Sequence, residues 1–283
     1  MIGQCLASLE RQSHPPDDVV VSDGGSTDET AAIANAHGAK VVLGAANRSA
    51  QRNAGAERAL GEYVVFVDSD MQLTPAVLED SLTTFRESDA ALVIPEVFVG
   101  ENYWARVRGF ERSFYDDVWW LQAARCYRRA QFLEIGGFDA GLIGGDDWDL
   151  DERIRQFGEV RQISAIIEHD EGRPSFSRLL QKKAHYAGSF PEFRVRHPER
   201  SALCFSVARR AALFVRRPGR LLAHPTLAAG VATMGIAEIG AARDWLKFWT
   251  VPMVERRYHS GGCGTSVQRR PGQEERSEGI RDI

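Results

Sequence analysis

Short β-prone apolar runs alternate with helical stretches through the first 95 residues, and this alternation constrains the fold more than any other feature. Ile2–Gln12 sets Ile2, Cys5, Leu6 and Leu9 at helical spacing, and Pro15-Pro16 ends that helix. Asp18–Ser22 reads as a short buried strand, Asp23-Gly24-Gly25-Ser26-Thr27-Asp28 as a turn, and Asp28–His37 as a helix capped by Ser26 or Thr27 and stopped at Gly38. Lys40–Leu43 is a strand and Ser49–Leu60 a helix. Tyr63–Val67 is a strand that stops abruptly at Asp68-Ser69-Asp70, before helix Pro75–Phe85 and strand Ala90–Pro95. Such alternation predicts a doubly wound, mostly parallel sheet flanked by helices, with ligands at the carboxyl ends of strands. Two Asp-rich turns, at Asp23 and Asp68, fall at such ends.

Beyond residue 95 the pattern loosens. Gly100–Gln122 is rich in aromatics, from Tyr103 to Trp120, and is expected to be helical and to line a groove. Gly136-Gly137-Phe138 is a turn, Gly144-Gly145 precedes a helix running from Asp146 to about Phe157, and Gln162–Glu168 is a strand leading to His169. From Ser201 the composition shifts: Arg209, Arg210, Arg216, Arg217 and Arg220 interleave with apolar residues, a pattern suited to an anionic membrane surface or to a basic solvated helix face. The expected division is a catalytic-type α/β domain over 1–195, a helical C-terminal extension over 196–250 and a disordered tail over 251–283.

With 283 residues there is room for that plan, and a net charge of −4 argues against a global nucleic-acid footprint. The four cysteines are scattered without a C-x-x-C pair, which argues against zinc or a disulfide framework and favours a reducing, cytoplasmic setting. Met1–Glu10 lacks the marks of a secretory leader. Leu221–Ala242 is broken by His224, Pro225 and Glu238, so contact with a membrane would be peripheral, at its cytoplasmic face.

Four blocks, in order, resemble a family 2 glycosyltransferase of the GT-A fold. They are Val19–Asp28, Arg52-Asn53-Ala54-Gly55, Val64–Asp70, and Gly136-Gly137-Phe138-Asp139 with Gly145–Leu150. The resemblance spans roughly residues 1–170. It also implies a first strand, ending in a Pro-x-Tyr-Asn-like turn, upstream of Met1, so the chain is expected to be truncated or its start misassigned. By this resemblance Asp70 binds a divalent metal, Mn²⁺ or Mg²⁺, and Asp68 faces the metal or the ribose. Asp23 accepts a hydrogen bond from the base of a UDP- or GDP-sugar donor. Arg52 and Asn53 lie beside the nucleotide, and His169 completes the metal site. Asp147 is the base of an inverting transfer, with Asp146 orienting it or meeting the acceptor. Arg48, Arg125, Lys182, Lys183 and Tyr186 are weaker candidates for donor phosphates or acceptor.

The chemistry suits those residues: a metal on hard oxygen ligands neutralises a departing diphosphate, a forked guanidinium matches its oxygens, and a carboxylate takes the acceptor proton. Local structure competes at each position, since Asp-Gly-Gly-Ser is itself a good turn and acidic residues cap helices. The implied function is transfer of a sugar to a glycan or lipid-linked hydroxyl in glycan synthesis. Alternatives are a nucleotide-binding or scaffold relative that does not turn over, and a nucleotidyltransferase, whose usual Gly-rich basic loop is not visible.

Overall fold

The computed structural model describes residues 1–44 and 47–241. The sequence division at 251–283, and the end of the 196–250 extension, lie outside them. The elements run α1 (Ile2–Glu10), β1 (Val20–Asp23), α2 (Thr30–Ala36), β2 (Lys40–Leu43), α3 (Arg48–Arg58), β3 (Tyr63–Val65), β4 (Met71–Leu73), α4 (Val77–Thr84), β5 (Asp89–Val93), β6 (Glu96–Val99), α5 (Tyr103–Arg112), β7 (Cys126–Arg128) and α6 (Arg129–Glu134). Then follow α7 (Asp146–Ile154), β8 (Glu159–Gln162), β9 (Ile167–Asp170), α8 (Phe176–Ala187), α9 (Phe190–Arg196), α10 (Pro198–Cys204), α11 (Val207–Val215), α12 (Pro218–Ala223) and α13 (Pro225–Ala241).

The α/β class is as expected, but pairing is mixed rather than mostly parallel. Strands β3-β7-β5-β8 form one sheet, β4-β9-β6 a second, and β1-β2 a separate parallel pair. Strand β7 runs antiparallel to both β3 and β5. The reason is the path of the chain: it leaves the sheet after β5, makes the excursion through β6 and α5, and comes back at the same carboxyl edge, where the Arg125 N–H bonds the Leu92 carbonyl. A strand that re-enters at the carboxyl edge must run the other way.

Strand β5 is buried along its whole length, and its side chains alternate between two cores. Ala91 and Val93 pack with Val64, Tyr127, Phe132, Leu150 and Ile154 on one face. Leu92 and Ile94 pack with Met71, Val77, Cys126 and Ile167 on the other. Several sequence-level boundaries move. The Gly100–Gln122 helix is only α5, with turns after Arg112, and the Gln162–Glu168 strand is two strands, β8 and β9, split by a Ser164–Ala165 turn whose N–H groups bond Asp80. Helix α2 starts at Thr30 without a side-chain cap from Ser26 or Thr27, because Ser26 is bonded to Asp23 instead.

The C-terminal helices form a cap on the excursion. Phe110, Phe114, Tyr115 and Leu121 pack against Leu213, Phe214, Leu221 and Leu227. Three of the five arginines expected on a solvated face are fasteners: Arg210 bonds the Cys204 carbonyl, while Arg217 and Arg220 bond the Ser113 carbonyl. Among the described residues no helix is long and apolar enough to cross a membrane.

Candidate functional site

One cleft of about 4220 Å³ runs from the β1 and β3 edges past Asp68–Asp70 to the cap. Its chemical centre is built by strand register. Antiparallel pairing of β4 with β9 sets Met71 opposite His169, so the residue before β4, Asp70, meets the imidazole. Parallel pairing of β9 with β6 sets Phe98 beside His169, and the two rings stack at 4.8 Å. The His169 Nε2 lies 3.3 Å from Asp70 and its Nδ1 lies 3.0 Å from Glu96. Burial opposes charge on this imidazole, but hydrogen bonds to Asp70 and Glu96 outweigh it and push its pKa up to about 9. The same contacts hold Asp70 below the usual carboxylate range against burial.

Asp68, expected beside Asp70 on a metal, faces cations. Arg52 bonds it at 2.6 Å and Arg125 lies 3.4 Å away. Burial disfavours its charge, yet Arg125 and Arg52 hold it well below the ordinary range. Arg125 also bonds Glu96 at 2.6 Å, tying the two carboxylates together.

The opposite wall comes from α3 and α7. Asn47 caps α3 by accepting from the Ser49 and Ala50 N–H groups, and Arg48 and Arg52 of this helix line the cleft while Ser49 is buried behind them. Gly145 opens α7 at φ 80°, and three acidic residues occupy its first turn, where the helix dipole favours them. Asp146 is fully buried, bonded by Arg48 at 2.6 Å and by the Ser49 hydroxyl at 2.9 Å. Burial and the adjacent Asp147 raise its pKa against the pull of both arginines. Asp147 is half-buried and lines the cleft, and among the described residues its carboxylate accepts one hydrogen bond, from the Trp148 N–H. Gly144 lets the Tyr186 carbonyl approach to 2.5 Å from where a Cβ would stand.

Two expected donor contacts sit differently. Both ends of the Asn53 amide are taken by the Phe138 backbone, at 2.8 and 2.9 Å. The Asp23 carboxylate closes its own turn on the Ser26 N–H and hydroxyl. Lys182 and Lys183 lie nearer the cap, 4.0 Å from Glu171 and 3.6 Å from Glu111, and Arg48 stacks over Tyr186. The sequence reading missed Glu96, which has no local signature because its partners are 29 and 73 residues away.

Asp70 and His169 set a carboxylate oxygen and an imidazole nitrogen side by side. Among the described residues no group of three or more His, Cys, Asp and Glu side chains could hold a metal. Mg²⁺- and Mn²⁺-type sites, however, are commonly completed by substrate phosphates and water. For such an ion Asp70 and a neutral His169 would be two ligands, with Glu96 on the far nitrogen fixing the imidazole.

The layout is that of a GT-A glycosyltransferase. The glycosyl transferase family 2 model matches residues 1–141, and through this segment the chain belongs to that family. It is 29% identical over 171 residues to a pre-mycofactocin glycosyltransferase of Mycobacterium tuberculosis, an alignment covering 54% of this chain and 36% of the relative. The chain thus spans about a third of the length that this relative has. Among solved structures it resembles the mannosyltransferase PcManGT of Pyrobaculum calidifontis in complex with GDP-Man and Mn²⁺. That match has a TM-score of 0.51 and 19% identity, and covers 88% of this chain and 77% of that one. It also resembles S. aureus TarS 1-349 in complex with UDP, with a TM-score of 0.50 and 23% identity over 67% and 61% of the two chains.

Proposed function

We propose that the chain transfers a sugar, with inversion, from a UDP- or GDP-sugar to an acceptor hydroxyl. The observation that carries this is the convergence of the Asp70–His169–Glu96 chain and the open carboxylate of Asp147 on one cleft. Asp147 accepts the proton of the attacking hydroxyl. The oxygen bonds the anomeric carbon as the carbon–phosphate oxygen bond breaks, and the electron pair leaves on the nucleoside diphosphate. Asp70 and His169 would hold a Mn²⁺ or Mg²⁺ ion, which would supply charge neutralisation at that diphosphate. Arg48 and Arg52 reach the same oxygens by exchanging carboxylate partners for phosphate, and Arg125 holds Asp68 in place. Asp146 fixes the start of α7 against α3. Asn53 supports the donor pocket through Gly137-Phe138, and Asp23 shapes the turn at the end of β1, beside the base.

The extension serves the acceptor side. Val207, Val215 and Leu222 are exposed near Arg209 and Arg216, which supports a lipid-linked or other amphipathic acceptor met at a membrane surface. One observation favours the second reading, binding without turnover: β1 and β3 are not hydrogen-bonded to each other, so the floor between them is open. Thermal stabilisation by UDP, GDP and their sugars, with and without Mn²⁺, tests both readings, because a native-state ligand raises stability by RT ln(1 + [L]/Kd). A metal-dependent shift with one nucleotide, followed by sugar release or transfer, is expected. No shift refutes the donor site, and a shift without turnover selects the second reading.

A further inference from the structure

Outside the Asp70–His169 centre, the cleft holds a second group of charges where α5 meets α8 and the cap, and one member of it has no direct ion-pair partner among the described residues. Arg108 bonds Glu111 at 3.1 Å and lies 3.6 Å from Glu171. Lys183 lies 3.6 Å from Glu111 and also pairs with Glu238. The side chain of Arg112, on the same helix and also lining the cleft, makes no hydrogen bond or ion pair among the described residues, and its Nε is buried without a partner. Its guanidinium lies 4.9 Å from the Phe98 ring centre and 5.9 Å from that of Tyr115.

The nearby carboxylates are already committed. Glu111 receives the Tyr115 hydroxyl at 2.8 Å besides its two cations. Glu96 gives one oxygen to Arg125 and the other to His169. A guanidinium stacked on aromatic faces keeps its in-plane N–H groups for a planar or tetrahedral anion, and leaving a partly buried cation unpaired is costly. Phe98 touches both His169 and Arg112, so the free guanidinium stands one aromatic side chain from the metal-binding pair. Of the arginines beside Asp68 and Asp146, Arg48 and Arg52 belong to α3, on the other wall, and Arg125, just before β7, is held between Asp68 and Glu96.

We infer that Arg112 docks a negatively charged group, phosphate or carboxylate, carried by the acceptor. This rests on the glycosyl-transfer reading and adds the acceptor's chemical class. Burial and the neighbouring Arg108 depress the basicity of Arg112 more than Glu111 and Glu96 restore it, and an arriving anion offsets that deficit.

The test uses the full chain with UDP or GDP and Mn²⁺ bound, so that the donor diphosphate site is filled, and titrates inorganic phosphate and, separately, acetate. Saturable binding of at least one anion is expected, weakened about tenfold or more by Arg112→Gln and less by Arg112→Lys, with nucleotide affinity changed by less than about twofold. Anion binding unchanged in Arg112→Gln overturns the inference, and so does anion binding that the nucleotide abolishes. A parallel loss of nucleotide affinity reassigns Arg112 to the donor diphosphate and equally overturns it. If Arg112→Gln fails to fold, Arg112→Lys with wild-type anion affinity is the refuting result. Failure of the wild type to bind any nucleotide sinks the glycosyl-transfer reading itself, an outcome separate from the others.

Discussion

Replacing His169 with Gln in the metal-free protein isolates the electrostatics of the centre. The imidazole sits between Asp70 and Glu96, which raise its pKa from 6.5 to about 9 although burial pulls the other way. At about 1.4 kcal/mol per pH unit, that gap is worth about 3 kcal/mol of folding free energy. The folded pKa is the higher one, so this stabilisation is complete below about pH 6.5 and is lost as pH rises through about 9. Urea unfolding in chelator should therefore show His169→Gln costing about 3 kcal/mol more at pH ~6 than at pH ~9.5. Asp70 and Glu96 stay ionised throughout that window, because the same contacts, with Arg125 on Glu96, hold both below the usual carboxylate range. A cost that differs by less than about 1 kcal/mol between the two conditions would refute the clamp. The metal arm has the opposite sign. A ligating His169 must lose its proton, so Mn²⁺ affinity of the wild type should rise with pH, by up to about tenfold per unit below about 9, and this slope should vanish in His169→Gln.

Asp70→Ala should abolish the Mn²⁺-dependent part of nucleotide binding, measured by calorimetry with and without metal. Asp147→Asn should lower turnover by about 10²-fold or more while nucleotide affinity stays within about twofold, as read by donor consumption and by titration. Arg220→Ala removes bonds to the Ser113 carbonyl at 2.9 Å and hydroxyl at 2.7 Å; a cost of about 1–3 kcal/mol should appear as faster hydrogen exchange in α12 and α13. Gly145→Ala forces a side chain onto φ 80° with its Cβ 3.3 Å from the Phe193 ring, and should cost at least about 1 kcal/mol in urea unfolding.

What a reader of the sequence could see was whatever is encoded locally. The apolar run into Asp68-Ser69-Asp70, the Gly144-Gly145 stop before an acidic helix start, and the Gly38 stop at φ 72° are each signalled within a few residues, and each stands where expected. What stayed hidden is set by partners far along the chain. Glu96 looks like any acidic residue after a proline until β6, β9 and β4 are placed in register. Asn53 sits in a family-like block beside Arg52, but its amide is spent on Phe138, 85 residues away. The C-terminal arginines show the limit most plainly. Their interleaving with apolar residues is legible as amphipathic charge, yet charge pattern alone says nothing about which guanidinium meets water and which meets a carbonyl. Arg209 and Arg216 are exposed, whereas Arg217 and Arg220 reach back more than a hundred residues to Ser113. Pinning Ser113 pins the turn just after Arg112, so the same contacts that fasten the cap also fix the end of the helix that carries the unpaired guanidinium. Loosening the cap through Arg220→Ala should therefore weaken anion binding at Arg112 while sparing the Mn²⁺-dependent nucleotide site, whose Asp70 and His169 are held by the β4-β9-β6 register and not by the cap.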